Sequence, residues 1–246
     1  MAGLRYAAAQ SASVPLDIAA NVVRHLAFID TAGEAGVQLL VFPELSLCGY
    51  ELAGMGACAL KADDGRLAPL RERALKAKMT VVVGAPLANV GALPGIGAIT
   101  FHPDGRTSVY RKHFLHAGEE RHVTAGSAIS QLHEVRGVKV ALAICADTGQ
   151  QQHAHAAAVA GAELYVAGSL ISAGGYDKDC GQLVGYAKLF RMGVLMANHA
   201  HASGGYESAG RSAIWESGGE MIIAAPGPGE MLVIADDDGG TLVEVA

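Results

Sequence analysis

Short apolar runs alternate with longer amphipathic patterns along most of the chain. The runs LRYAAAQ and VQLLVF, near the N-terminus, are predicted strands. Between them, apolar residues recur at three- and four-residue steps from Ile18 to Ile29, which predicts a helix that ends at Gly33 or Gly36. The second run is almost unbroken in apolarity, as expected for a strand in a sheet that is covered on both faces.

A second helix and two further strands are predicted between residues 66 and 101. Residues 81–101 are uncharged, but Pro86, Asn89, Pro94 and several glycines favour two strands joined by a turn over a membrane-spanning helix. Before them, the segment RLAPLRERALKAK is typical of an amphipathic helix. Three of its leucines are predicted to face the core: Leu67, Leu70 and Leu75.

The second half of the chain adds hairpins to this alternation. The dipeptides Asp104-Gly105 and Arg136-Gly137 predict tight turns between strands. A helix over about residues 150–160, the strand AELYVAG, the helix GQLVGYAKLFRMG and the strand VLMANHA follow. Two hairpin patterns complete the chain, and no segment has a linker composition. Residues 1–246 therefore form one predicted α/β domain, with a mixed sheet or a pair of sheets covered by helices.

Composition and charge exclude several classes of protein. Hydrophobic residues make up 51% of the 246 residues, and the formal net charge is −6. Because the Lys and Arg residues are dispersed, we expect no nucleic-acid or membrane partner. The N-terminal segment has no signal-peptide pattern. The four cysteines show no CxxC spacing, so free thiols in a reducing, cytoplasmic setting are expected rather than disulfides or a zinc site: Cys48, Cys58, Cys145 and Cys180.

Three chemically distinctive residues each follow directly on a predicted strand. Glu44 ends VQLLVFPE, Lys112 ends RTSVYRK and Cys145 ends VKVALAIC. Each alone is ordinary, since a cysteine at a strand end is usually a small core residue. Sites in α/β folds, however, assemble at the carboxyl ends of strands. Three separate strands can therefore deliver the three side chains to one point.

These three side chains together suit acyl transfer. A thiol becomes a strong nucleophile when it loses its proton, and Glu44 can accept that proton from Cys145. Lys112 and the backbone N–H of Ala146 can then stabilise the oxyanion that forms on a carbonyl substrate. Asp147 or Thr148 can cap the helical turn that follows the cysteine.

Five segments of the chain match a known family: FPELSLCGY (42–50), YRKHFLHAGEERHVTAG (110–126), ALAICADTG with HAHAAAVAGAEL (141–164), RMGVLMAN (191–198) and GRSAIWESGGEMI (210–222). Through these segments the chain resembles the nitrilase-type carbon–nitrogen hydrolases, in the family's order and over most of its length. The resemblance implies a four-layer α-β-β-α sandwich with two mixed sheets, and a homodimer or larger homo-oligomer. It implies Glu44 as general base, Lys112 as oxyanion-stabilising lysine and Cys145 as nucleophile. A second glutamate is usual after the lysine; Glu120 matches it best, and the adjacent Glu119 leaves the register open by one.

The residues after the candidate nucleophile limit the classes of substrate that are expected. Nitrile-cleaving members commonly read Cys-Trp-Glu, whereas this chain reads Cys145-Ala146-Asp147. Hydrolases of N-carbamoyl amino acids place arginines shortly after the cysteine. This chain has Thr148, Gly149 and Gln150 there, none of which can form an ion pair with a carboxylate. A small amide is therefore the expected substrate. The stretch also lacks the family's Phe/Trp-Pro-Glu and carries three glutamines instead, which leaves the pocket shape open.

Several residues are candidates for the pocket or for other chemistry. His153 and His155 diverge on a helix, so they are poor metal ligands, and no metal or organic cofactor is expected. His113 is a weak candidate for a protease-like base. An acyltransferase, a nitrilase or N-carbamoyl amide hydrolase, and a catalytically idle interaction module remain alternatives. The candidate pocket residues are Tyr50, His116, Glu119, Tyr176, Asp177 and Trp215.

Overall fold

The chain folds into two mixed β-sheets between two pairs of helices. The computed structural model describes residues 3–129 and 131–245. The helices are α1 (Ile18–Glu34), α2 (Ala68–Ala77), α3 (Gln151–Val159) and α4 (Tyr176–Phe190). The strands are β1 (Tyr6–Gln10), β2 (Leu39–Val41), β3 (Thr80–Leu87), β4 (Gly95–Phe101), β5 (Thr107–Arg111), β6 (Leu132–Val135), β7 (Val138–Ile144), β8 (Leu164–Ser169), β9 (Gly193–Asn198), β10 (Ala213–Trp215), β11 (Met221–Ala224), β12 (Met231–Asp236) and β13 (Gly239–Glu244).

Each sheet has a parallel centre and antiparallel flanks. The first sheet has the order β13-β12-β1-β2-β3-β4-β5, with β1, β2 and β3 parallel. The second has the order β11-β10-β9-β8-β7-β6, with β7, β8 and β9 parallel. The sheets face each other, with β1 against β9, β2 against β8 and β4 against β7. The predicted α-β-β-α sandwich is confirmed.

Side-chain alternation along the second sheet explains how it is covered on both faces. In β7, Leu142 and Ile144 belong to the core that includes the first sheet, while Ala141 and Ala143 belong to a second core with α3 and α4. The alanines let the helices lie close to the sheet. Because both faces are buried, the strand is apolar from Val140 to Ile144, which is why its periodicity alone was weak.

Two predictions about helices need correction. Leu75, predicted to face the core from α2, is 49% exposed, whereas Leu67 and Leu70 are buried. The last predicted helix begins at Tyr176 rather than near Gly181. The glycines just before Tyr176 made this helix start difficult to predict. The first turn of the helix carries two acidic residues, which is a favourable arrangement at a helix N-terminus.

Candidate active site

Three strands from the two facing sheets carry the predicted residues to one place. Glu44 follows β2 and Lys112 follows β5, both in the first sheet, while Cys145 follows β7 in the second. Lys112 and Glu44 are in direct contact, and Glu44 and Cys145 line the same small cavity. The meeting of strand ends expected from the sequence is therefore present.

The turn that carries Glu44 is held tightly by its surroundings. A Cβ atom at Gly84 would overlap the Pro43 carbonyl oxygen, and one at Gly168 would lie 2.7 Å from the Phe42 carbonyl oxygen. Only glycine fits at such close backbone approaches. His199 Nε2 lies 2.7 Å from the Glu44 carbonyl oxygen. Burial lowers the pKa of His199 to about 4, so it is a neutral ring that donates to this carbonyl.

Lys112 is the centre of a buried charge cluster. Its Nζ donates to Glu44 Oε1 at 2.6 Å and to Glu119 Oε1 at 2.7 Å, and all three side chains are fully buried. Burial opposes the charge of Lys112, but Glu44, Cys145 and Glu119 outweigh it and raise its pKa. An ammonium group has three N–H donors, so one remains for a substrate oxygen.

Glu119, rather than Glu120, is the second glutamate of this cluster, which corrects the register by one residue. Glu119 accepts from Lys112, from the Tyr50 hydroxyl at 2.6 Å and from the His116 N–H at 2.7 Å. Glu120 is exposed and accepts from the Gly118 N–H. Both lie in a tight 3-10 turn, where successive side chains point in different directions.

Cys145 occupies a strained corner. Its φ is +43°, in the left-handed region that costs energy for a residue with a Cβ, and it opens a 3-10 turn over Cys145–Gly149. Unlike its neighbours in β7, Cys145 is partly exposed. Burial and Glu44 raise the pKa of the thiol, and Lys112 opposes them. The resting thiol is therefore protonated and needs a base.

Glu44 has the properties of that base. Burial is the main cause that raises its pKa, Glu119 adds to the effect and Lys112 opposes it. A carboxylate with a raised pKa is a stronger proton acceptor. Its Oε2 is buried and has no hydrogen-bond partner among the described residues.

A small cavity of about 50 Å³ opens onto these groups. This volume corresponds to only a few water molecules. On its wall, the rings of Tyr50 and Tyr206 pack edge to face, with 5.7 Å between the ring centroids. The cavity is lined by Glu44, Tyr50, His116, Cys145, Leu170 and Tyr206.

The pocket predictions divide into two groups. Tyr50 and His116 line the cavity, and Glu119 contacts both of them. Three other candidates do not line it. Tyr176 donates its hydroxyl to the Arg211 carbonyl at 2.7 Å, Asp177 is exposed in the first turn of α4, and Trp215 is buried in the core beneath α4: the structure corrects all three predictions.

Two lining residues were missed by the sequence reasoning. Leu170 directly follows β8, and its carbonyl oxygen lies 3.9 Å from Cys145 Sγ. Tyr206 ends the glycine-rich segment ASGGY, for which no element was predicted from the sequence. Position at a strand end was a usable signal for Leu170, but nothing in the sequence distinguished Tyr206.

The histidines do not form a metal site in the part of the chain that the structure describes, where no cluster of three or more His, Cys, Asp or Glu residues has metal-binding geometry. His153 is buried and His155 is exposed, as their two-residue spacing predicts. His113 Nδ1 contacts the Gly126 carbonyl at 2.9 Å. Among residues 3–129 and 131–245, no helix has the length and apolarity needed to span a membrane.

The fold brings a buried Glu–Lys–Glu cluster beside a cysteine, and comparison with known proteins identifies the family. The model of the carbon–nitrogen hydrolase family matches residues 5–246, so the chain belongs to this family. A search of the curated proteins finds no match.

Solved amidase structures are similar to this chain. One is a Glu-to-Gln variant of the amidase from Nesterenkonia sp. AN1 with acrylamide added at its active-site cysteine (TM-score 0.87, 25% identity, 95% of this chain and 92% of that one). A cysteine-to-serine variant of the same nitrilase-superfamily amidase has TM-score 0.88 and 24% identity over 96% and 92% of the two chains. A cysteine-to-alanine variant in complex with butyramide has TM-score 0.88 and 24% identity over 96% and 91%.

Proposed function

We propose that this protein hydrolyses the C–N bond of small, uncharged linear amides through a thioester on Cys145. The observation that carries the proposal is the position of Lys112, held by two buried carboxylates at 2.6 and 2.7 Å beside the cavity that exposes Cys145. This arrangement supplies a nucleophile, a base and a fixed positive charge in a site with little water.

In the acylation step, Glu44 takes the thiol proton as Cys145 Sγ attacks the amide carbonyl carbon. The remaining N–H of Lys112 and the N–H of Ala146 stabilise the resulting oxyanion. The oxyanion then collapses, the C–N bond breaks and the nitrogen takes the proton from Glu44. Ammonia leaves and a thioester remains on Cys145.

In the deacylation step, Glu44 takes a proton from water, and the hydroxide attacks the thioester carbonyl. The same two donors stabilise the second oxyanion. The C–S bond breaks, the carboxylic acid leaves and the proton held by Glu44 returns to the thiolate. Glu119 does not exchange protons in this scheme; it holds Lys112 and the Tyr50 hydroxyl in place.

The lining of the cavity supports small, uncharged amides. Among the described residues that line it, His116 is the only one with a nitrogen-containing side chain, and none is an arginine that could hold the carboxylate of a carbamoyl amino acid. The Leu170 carbonyl near Cys145 Sγ is an acceptor for an amide N–H, and a nitrile offers no such donor. The amidase from Nesterenkonia sp. AN1, similar in fold, has been solved with butyramide.

The test is ammonia release from a series of linear amides of increasing chain length, with carbamoyl compounds and nitriles as comparison. We expect turnover of the short amides, loss of it in Cys145→Ala and retention of it in Cys180→Ala, which removes another free cysteine outside the cavity. Turnover that persists in Cys145→Ala contradicts the mechanism. Predominant hydroxamate formation at low hydroxylamine concentrations would instead indicate an acyltransferase that uses the same thioester.

A further inference from the structure

A chain of four buried polar side chains lies behind the candidate active site. The Tyr110 hydroxyl is 2.8 Å from Asp147 Oδ2 and 2.9 Å from His153 Nε2, and His153 Nδ1 is 2.7 Å from the Tyr165 hydroxyl. The residues come from β5, the turn after Cys145, α3 and β8. The network therefore connects both sheets and one helix.

The hydrogen bonds of this network run in one direction. A carboxylate only accepts, so the Tyr110 hydroxyl donates to Asp147. Its oxygen then accepts from His153 Nε2–H, and His153 Nδ1 accepts from the Tyr165 hydroxyl. The neutral histidine donates to one tyrosine and accepts from the other. Burial has the largest effect on the pKa of His153 and lowers it, whereas the charge of Asp147 raises it.

Asp147 is the end of this chain and joins the two catalytic segments. Its Oδ1 accepts from the N–H groups of His113 (3.2 Å) and Phe114 (2.8 Å), which directly follow Lys112. Its Oδ2 accepts from the N–H of Ile144 at 3.0 Å, directly before Cys145. One carboxylate thus holds the backbone after the lysine and the backbone before the cysteine.

We propose that Tyr110, Asp147, His153 and Tyr165 form a positioning unit that fixes the separation of Lys112 Nζ and Cys145 Sγ. The expected effect on turnover rests on the proposed function. The effect on the distance between Lys112 Nζ and Cys145 Sγ does not depend on the substrate. The proposal also gives a role to Asp147 and His153, which lie two and eight residues after Cys145.

The separation matters for two reasons. Lys112 stabilises the Cys145 thiolate, so a longer distance weakens that stabilisation and moves thiol ionisation to higher pH. The same lysine must reach the oxyanion that forms on the carbonyl carbon bonded to Cys145, and a displacement of about 1 Å costs up to about 100-fold in rate.

The test measures the alkylation of Cys145 by iodoacetamide against pH, followed by mass spectrometry of the Cys145 peptide. In Tyr110→Phe we expect the alkylation midpoint to move to higher pH and kcat for a small amide to fall about 10-fold with KM within about 2-fold. Tyr176→Phe is the control, because it also removes the hydroxyl of a buried tyrosine, here one that donates to the Arg211 carbonyl and does not line the cavity. It should lower the melting temperature and leave the midpoint unchanged.

A pair of variants at His153 separates positioning from simple packing. His153→Gln keeps one donor and one acceptor and should restore most of the wild-type midpoint, whereas His153→Leu should shift it as Tyr110→Phe does. The proposal is overturned if Tyr110→Phe and His153→Leu lose stability without moving the midpoint. If the midpoints move as expected but the wild-type protein turns over no amide, the positioning unit stands and the proposed function fails.

Discussion

The protein contains two buried polar clusters that differ in how completely they are satisfied. In the cluster around Lys112, two carboxylates share one ammonium group, and Glu44 Oε2 has no partner among the described residues. In the network around Asp147, the carboxylate accepts four hydrogen bonds, and both nitrogens of His153 are paired. The clusters adjoin along the chain through Tyr110 and Lys112.

The difference indicates a division of roles. An unpaired buried acceptor destabilises a protein, and a lysine with a spare donor is poised for an additional ligand. These are properties of a reacting centre, where capacity must remain for substrate and protons. A fully paired network has no such capacity and instead fixes the backbone. Changes in the first cluster should therefore affect chemistry most, and changes in the second should affect geometry.

Removal of the base should have the largest effect on activity. Glu44→Gln keeps the size of the side chain but cannot accept the thiol proton, so kcat should fall about 1,000- to 10,000-fold. The measurement is ammonia release under saturating amide, with circular dichroism to establish that the fold persists. A loss of less than about 10-fold would show that another group accepts the proton.

Removal of the shared cation should damage both activity and stability. Lys112→Met leaves two buried carboxylates without their charge partner, and we expect the free energy of unfolding to fall by about 3–5 kcal/mol in urea titrations. Adding Glu119→Gln to this variant should recover part of the loss. Lys61→Met, on the exposed surface, is the control and should change stability by less than about 0.5 kcal/mol. Equal stability of Lys112→Met and wild type would contradict the charge-sharing account.

The two adjacent glutamates offer a sharper comparison. Glu119→Gln disturbs the hold on Lys112 and Tyr50, so kcat/KM should fall about 100-fold. Glu120→Gln alters an exposed side chain and should stay within about 2-fold of wild type. The reverse order of these two effects would restore the register favoured by sequence spacing.

The pH dependence of turnover gives the smallest but most specific signal. Glu44 must be deprotonated to act, and its pKa is raised above 4.5 mainly by burial. Activity should therefore be present above this raised pKa and be lost as pH falls through it. The acid limb of kcat/KM should lie at higher pH than that of an ordinary glutamate. An acid limb at or below pH 4.5 would show that Glu44 is not the base.

The sequence predicted the site best where a chemically reactive side chain directly follows a strand. Glu44, Lys112 and Cys145 each follow an apolar strand, and the structure puts Glu44 and Lys112 in contact and Cys145 on the same cavity. Strand direction explains this success: β2 and β5 run in the same direction and end at one edge of the first sheet, and β7 of the facing second sheet ends at the same cavity. The hairpins at Gly105 and Gly137 were also predicted, because the turn residues determine how the flanking strands pair.

Details that depend on local turns could not be predicted in the same way. The choice between Glu119 and Glu120 is made by one 3-10 turn, whose side-chain directions no spacing rule fixes. Trp215 and Tyr176 were aromatic candidates for the pocket, but both pack into the core between the second sheet and α4. Tyr206 reaches the cavity from a loop, and only tertiary structure brings it there.

The central claim is a covalent acyl group on Cys145 during turnover of a small amide. Its most direct test is acid quenching of the wild-type protein within the first turnovers, followed by intact-mass measurement and peptide mapping. We predict a mass increase equal to the acyl group, located on the peptide that contains Cys145 and absent from Cys145→Ala. Turnover without any acylated Cys145 peptide, or with the acyl group on another residue, would contradict the claim.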